Sequence, residues 1–370
     1  MALQIFNLEW VPYNTQIDVP EIEAGKTKNI FDMQDGTYAM RHNWVLTAYD
    51  NPEFTWISVD KWIASAYSTA TLFKRLEAEG IKTTHKGIIN ANTTREMALD
   101  MLPFEIIWRR YNVPKNSWQK RNPGIYDIWA RYNDIIYEAC LKWSIITDSG
   151  EIVHDPFLVL DENFQPQLDS NWLPRLTHSK TGEELTYSTV LHPNKKQDMS
   201  LEAVRNAISL FTERSSEIYN TIQKVQEITF NTYSEIGRLN ADWKIELWLN
   251  FKKELILWDV IDLDSLRNMS LQEVEIEGAI YEYEKDLLGS SLKDIIWMTP
   301  NIITKIIKSD HSGKQHYRDQ VDKMKNNLLD DKRKAFNNQA AQRTTDQIYI
   351  PVARALSDRF WKEVWFILSN

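Results

Sequence analysis

Two periods of hydrophobic recurrence run along this chain, and each predicts its own kind of element. Alternation with period two sends successive side chains to opposite faces of a strand, whereas recurrence every three or four lines one side of a helix. The clearest alternation begins at Asp242. Asp242, Lys244 and Glu246 fall on one face, and Trp243, Ile245 and Leu247 on the other. A turn-like stretch at 250–253 and a second apolar run at 255–258 predict a hairpin that returns Asp259 beside Glu246. Strands are also predicted at 30–32 and 38–40 about an Asp35-Gly36 turn, and at 44–49, 104–108 and 144–146.

Helical spacing runs through 59–79, where Gly80 stops it, and through 201–239, as one long amphipathic helix or a closely joined pair. A charged helix is predicted at 319–338, and a last helix at 351–368, with Pro351 in its first turn. Residues 160–197, rich in Pro, Asn, Asp and Ser, predict a long irregular surface excursion, and 268–310 a mostly helical insertion. No internal repeat is read. The mixture predicts an α+β fold of two lobes with a cleft between them. The hinge falls at 100–103, separating an N-terminal lobe, 1–102, from a C-terminal lobe, 103–370, with insertions near 160–197 and 268–311.

Composition narrows the function classes. A chain of 370 residues can bury a sizeable core in one large or two medium domains. Its net charge of −9 gives no broad basic field for nucleic acid or an anionic membrane. Cys140 is the single cysteine, so an intrachain disulfide and a cysteine zinc cluster are excluded, and a reducing, cytoplasmic compartment fits. The N-terminus shows no basic stretch followed by a long apolar core, and no run nears the roughly 18 apolar residues that span a bilayer. Glycines number 11, and neither GxxxxGK[ST] nor GxGxxG occurs, so P-loop and Rossmann sites lack their motifs. The fifteen tryptophans read as core or interface, which leaves room for a homo-oligomer.

The Asp242 alternation also carries candidate chemistry. Carboxylates facing each other beside a lysine and an arginine suit Mg²⁺ and phosphate, which need oxygen ligands and cations respectively. A solvated sheet face has the same pattern and is the commoner outcome. Periodicity alone leaves both open.

Asp-x-Lys-x-Glu at 242–246, a short turn, Asp259 and then Asp264-Ser265-Leu266-Arg267 resemble the core signature of the SAICAR synthetases (phosphoribosylaminoimidazole-succinocarboxamide synthases). Other motifs occur in that family's order. Gly25-Lys26-Thr27-Lys28 resembles its phosphate-contacting start, and Met101-Leu102-Pro103-Phe104-Glu105, running on to Arg109, resembles its hinge and strand. Ser117 stands near the place of the family's Gly-Ser element, without the glycine and at a shifted spacing. Glu138-x-x-x-Lys142, His154-Asp155-Pro156, a loop from Ser312 through Lys314 to Arg318, and a closing helix around 350–359 complete the resemblance.

The resemblance implies an ATP-grasp-related fold. It also implies condensation of carboxyaminoimidazole ribonucleotide with L-aspartate, driven by ATP through an acyl phosphate, to give SAICAR, ADP and phosphate. By the same likeness Lys26, Lys28, Met101, Glu105 and Lys142 would surround ATP, and Glu246 and Asp259 would hold Mg²⁺. Lys244 would stabilise the reacting carboxylate, while Asp242 would either orient Lys244 or join the metal site. Arg109, Ser117, Asp155, Asp264, Ser265, Arg267, Lys314 and Arg318 would hold the ribonucleotide. The altered Ser117 region keeps a divergent carboxylate–amine ligase in view, and a non-catalytic nucleotide-binding protein is the reading from another class.

Overall fold

The computed structural model describes residues 19–24, 28–42, 45–47, 55–57, 61–90, 92–113, 116–127, 130–191, 198–250, 252–258, 266–270 and 349–368. Strands β1 (Glu21–Ala24), β2 (Lys28–Asp32) and β3 (Thr37–His42) open the chain, and β4 (Val45–Thr47) and β5 (Thr55–Ile57) pair with each other. With β6 (His85–Asn90) and β7 (Thr93–Met97), the first three form an antiparallel sheet in the order β1-β2-β3-β7-β6. The expected Asp35-Gly36 turn joins β2 to β3. Gly36 takes φ +81, and Asp35 Oδ1 accepts a bond from the Thr37 amide at 3.1 Å.

A larger sheet follows. It uses β8 (Asp100–Tyr111), β9 (Arg131–Leu141), β12 (Phe157–Leu158), β13 (Leu176–Thr177), β14 (Glu184–Leu185), β17 (Arg238–Leu249), β18 (Leu255–Trp258) and β19 (Arg267–Ser270). Its order is β14-β13-β12-β9-β8-β17-β18, with β19 also paired to β17. A third sheet runs β11 (Ile152–His154), β10 (Ser144–Thr147), β15 (Tyr187–Leu191) and β16 (Asp198–Met199). Residues 100–103, read as a hinge, are the first of β8, with Asp100 registered against Leu249 and Met101 against Trp248.

Period two divides the large sheet into a dry face and a charged one. Phe104, Ile106 and Trp108 of β8, Ala139 and Leu141 of β9, and Trp243, Ile245 and Leu247 of β17 are all buried. Trp108 and Trp243 are Cα partners, and their rings meet edge to face at 4.9 Å. A pair of this geometry adds about 0.5–1.5 kcal/mol beyond its buried area.

Helix α1 is Lys61–Ala78, α2 is Ser117–Arg121, α3 is Leu201–Ser234 and α4 is Ile350–Leu368. Helix α3 covers the dry face, where Phe211 meets Phe104 edge-on at 4.9 Å. Its buried residues Val204, Ile208, Phe211, Ser215, Ile218, Ile222 and Val225 recur at steps of three and four. The Ser200 side chain caps it by accepting from the Ala203 amide at 3.1 Å. It is a single helix rather than a pair, and Arg238 and Leu239, expected in it, already belong to β17.

Helix α1 is buried on almost every side because the first sheet, α3 and α4 all pack against it. Gly80, at φ +82, ends it as expected. The chain then ties the two larger sheets together: Leu257 donates to the Lys82 carbonyl at 2.8 Å, and Thr84 donates to the Leu257 carbonyl at 3.1 Å. Met40 of the first sheet packs on Trp258 of the second.

Two expectations are corrected. Residues 160–191 are not an irregular excursion: they supply β13, β14 and β15, and they open with an eight-residue repeat that the sequence reading missed. Leu160-Asp161-Glu162-Asn163-Phe164-Gln165-Pro166 and Leu168-Asp169-Ser170-Asn171-Trp172-Leu173-Pro174 make the same turn. Asp161 Oδ1 accepts from the amides of Asn163 (2.8 Å) and Gln165 (2.9 Å), and Asp169 Oδ1 from those of Asn171 (2.8 Å) and Leu173 (2.9 Å). A ring of backbone bonds closes the two turns: Val159 donates to Arg175, Arg175 to Gln167, and Gln167 to Val159. The second correction concerns 268–270, which pair with β17 as a strand, not as part of a helical insertion. The remainder of that insertion and the helix expected at 319–338 lie outside the described residues.

Candidate active site

The charged face of the large sheet is built from positions an even number of residues apart on three adjacent strands. On β17 they are Asp242, Lys244 and Glu246; on β8, Arg109 and Glu105; on β9, Glu138 and Cys140. Register sets Glu105 directly across from Glu246 on one side and from Cys140 on the other. Like charges directly opposed on a sheet repel. Two lysines resolve the conflict: Lys244 pairs with Glu105, and Lys142, just after β9, pairs with Glu246. These pairs are half open, with the Lys244 side chain 42% exposed and that of Lys142 28%.

Deeper in the face, Arg109 is a hub. Its Nε donates to Glu138 at 2.7 Å, one terminal nitrogen to Asp242 at 3.4 Å, and the other to Ser117 Oγ at 2.8 Å. Local structure places Ser117. Asn116 caps α2 by accepting from the Gln119 amide at 2.6 Å and is itself fixed by donating to the Val113 carbonyl at 2.8 Å. Ser117 is therefore the first residue of α2, and its oxygen is turned to Arg109.

Asp155 closes the site at a strained position, φ +48. The residue as a whole is exposed, yet partial desolvation of its carboxyl first, and the Glu105 charge second, push it above the ordinary value, while Lys244 pulls the other way. Burial drives the Cys140 thiol well up, with Glu105 adding to the effect. That thiol stays protonated and points at Glu105 from 3.6 Å. His154 has a structural partner: its Nδ1 lies 2.7 Å from Ser144 Oγ.

The structure thus brings together Glu105, Arg109, Ser117, Lys142, Asp155, Asp242, Lys244 and Glu246. Asp242 meets Arg109, and Lys244 pairs with Glu105. Arg267 starts β19 opposite Asp242, and Met101 takes its place in β8. Lys28 lies on β2 opposite His42, whose imidazole is pushed well down by burial first and the Lys28 charge next. Lys26, Asp259, Asp264, Ser265, Lys314 and Arg318 lie outside the described residues. Trp258, the residue before Asp259, is registered against Glu246.

Sequence reasoning missed Arg121. It donates to Glu138, the carboxylate that also holds Arg109. Among the described residues, no three His, Cys, Asp or Glu side chains converge as a ready metal site. No described helix is long and apolar enough to cross a membrane.

The described residues make an α+β protein whose large sheet carries a face of paired carboxylates and cations. The comparisons give its family. A family model described as SAICAR synthetase matches residues 21–156 and 174–305. The phosphoribosylaminoimidazole-succinocarboxamide synthase of Pyrococcus abyssi is 34% identical over 278 residues, covering 74% of this chain and 95% of the relative. In fold, the chain is similar to the SAICAR synthase of Saccharomyces cerevisiae solved in complex with SAICAR. The TM-score is 0.53 at 15% identity, over 94% of this chain and 98% of that one. The Ehrlichia chaffeensis synthase gives 0.50 at 18%, over 75% and 94%. The chain belongs to the SAICAR synthetase family, and its α+β fold is that family's.

Proposed function

We propose that the charged face of β8, β9 and β17 performs the ATP-dependent joining of carboxyaminoimidazole ribonucleotide to L-aspartate. Family membership supports the reaction class, a ligase of purine biosynthesis. The observation that carries the site is the crossed pairing of Lys244 with Glu105 and Lys142 with Glu246.

A carboxylate oxygen of the ribonucleotide attacks the γ-phosphorus of ATP, and the bond to the ADP oxygen breaks. The aspartate amine then attacks the acyl carbon and loses a proton; the C–N bond forms, and phosphate leaves with the former carboxylate oxygen. The first step brings two anions together, so Lys244 is assigned to the reacting carboxylate. Lys142, released from Glu246, is assigned to ATP with Lys26, Lys28, Glu105 and the Met101 backbone. Glu246 offers the hard oxygen donors that Mg²⁺ takes, and Asp259 is assigned as its fellow ligand. Mg²⁺, when bound, would screen the charge of the ATP phosphates.

The ribonucleotide phosphate is assigned to Ser117, Arg109 and, beyond the described residues, Lys314 and Arg318; Asp155, Asp264, Ser265 and Arg267 are assigned to the rest of that substrate. Arg109 is only 3% exposed, so the hydroxyl in front of it makes the nearer contact. Because Ser117 Oγ already accepts from Arg109, its own proton is left to donate to phosphate. The proposal retains an N-terminal lobe, 1–102, and a C-terminal lobe, 103–370, closing on the nucleotide, in a cytoplasmic enzyme.

The test is to mix protein, Mg-ATP, the ribonucleotide and L-aspartate and to follow SAICAR and ADP together. Equal yields are expected. Faster ADP release with another amino acid or carboxylate would make the chain a divergent ligase instead.

A further inference from the structure

We propose that Arg121 is a positioning residue for the phosphate site, holding Glu138 off Arg109 so that Arg109 keeps its place on Ser117 and the buried cluster carries no excess negative charge. The proposal rests on the assignment of Ser117 and Arg109 to the ribonucleotide phosphate.

Glu138 is shared. Its Oε2 accepts from Arg109 Nε at 2.7 Å, and its Oε1 accepts from Arg121. All three side chains are nearly closed to solvent, with 4% of Arg109, 6% of Arg121 and 13% of Glu138 exposed. At such burial a carboxylate facing one guanidinium would take it with both oxygens, the geometry a planar fork prefers. Doing so would draw Arg109 toward Glu138 and away from Ser117. Arg121 occupies the second oxygen and prevents it. The charge count agrees: two guanidiniums meet two carboxylates, Glu138 and Asp242, so the cluster is balanced, and removing Arg121 leaves a net negative charge beside Ser117 that would repel phosphate.

Arg121 is itself held firmly. Its guanidinium carbon lies 3.9 Å over the Phe157 ring, and it donates to the Ser179 carbonyl at 3.2 Å. Burial lowers its pKa, Glu138 works against that, and Arg109 adds to it, so the two guanidiniums share one field. Phe157 and Ser179 flank the repeat-bearing segment, and 157–173 is the gap between the two stretches matched to the family. Through Arg121, this segment of the chain reaches the phosphate site.

Steady-state kinetics of Arg121→Met, Arg121→Lys and Ser117→Ala test the idea, with each variant's melting curve recorded. In Arg121→Met the KM for the ribonucleotide should rise about ten- to a hundredfold, the range expected for a lost charge-assisted bond. The KM values for ATP and aspartate and the kcat should stay near wild type. Arg121→Lys, which restores charge without the fork, should recover part of the loss. A merely structural role would lower the melting temperature without this KM-specific pattern. If Ser117→Ala raises the ribonucleotide KM while Arg121→Met does not, the role of Arg121 is overturned and the phosphate assignment stands. If neither variant moves that KM, the phosphate assignment falls and takes this proposal with it. Should Arg121→Met fail to fold, Phe157→Leu keeps the charge and removes the ring beneath it. The ribonucleotide KM should then rise alone, and an unchanged value overturns the proposal.

Discussion

Glu105 and Glu246 oppose one another across β8 and β17, and each is paired with a lysine. Replacing Lys244 therefore touches function more than stability, because its side chain is 42% exposed and exposed pairs contribute little to folding. Lys244→Ala is expected to lower kcat/KM by at least about a hundredfold, the scale of one lost transition-state contact, with only a small change in melting temperature. Near-normal kcat/KM would remove Lys244 from the chemistry. Asp155 gives a second residue-scale outcome, readable in pH. Its folded-state pKa is raised above the ordinary 3.8, so the native state favours the protonated form. That favourable contribution is complete below the unfolded pKa and is lost as pH rises through the folded one; because Asp155 is exposed, solvent screens the effect and keeps it small. Asparagine tolerates the same positive φ, so Asp155→Asn should melt slightly higher than wild type at pH 7 while losing activity. The gap in melting temperature should close as pH falls below about 4, and a gap independent of pH would mean that the charge is not its cause.

At the scale of elements, what was legible followed strong periods. The two-residue alternation of β17 and the helical spacing in α3 were legible because one face of each is apolar over several repeats, whereas α1, buried on almost every side, was legible from the length of its apolar run and its Gly80 stop. The turn repeat at 160–175 escaped because its order comes from side-chain oxygens capping backbone amides, which leaves no hydrophobic period. Composition rich in Asp, Asn and Pro then resembles an unstructured loop. The two copies also diverge in a testable way. Phe164 and Trp172 occupy the same turn position at φ +62, yet Phe164 is 4% exposed and stacks 5.3 Å from Tyr219, whereas Trp172 is 72% exposed. Phe164→Ala should cost about 3–5 kcal/mol in urea unfolding, the usual loss for a buried aromatic. Trp172→Ala should fall within about 0.5 kcal/mol of wild type. Equal losses would mean that the repeat, not burial, sets the stability of the segment.

Across the whole molecule, the sequence reached the reaction class before it reached the wiring. Motif order along the chain implied the family, since order survives low identity. The partners did not follow from it: that Asp242 meets Arg109, and that Arg121 shares Glu138, depend on register among β8, β9 and β17 and on where α2 folds back. Those contacts join positions far apart in sequence, and no local pattern encodes them. The same geometry sets a test of the metal assignment. A ligand that binds only the folded state stabilises it by about 2.7 kcal/mol at a hundred times its Kd. A non-hydrolysable ATP analogue should therefore raise the melting temperature, and Mg²⁺ should add a further increment. Glu246→Gln keeps the side chain's shape and a hydrogen bond for Lys142 but removes the charge a hard cation needs. In that variant the increment due to Mg²⁺ should vanish while the analogue's own shift remains. If the full Mg²⁺ increment survives the substitution, the metal is held by other carboxylates, and the pairing of Lys142 with Glu246 is a structural bridge between β9 and β17.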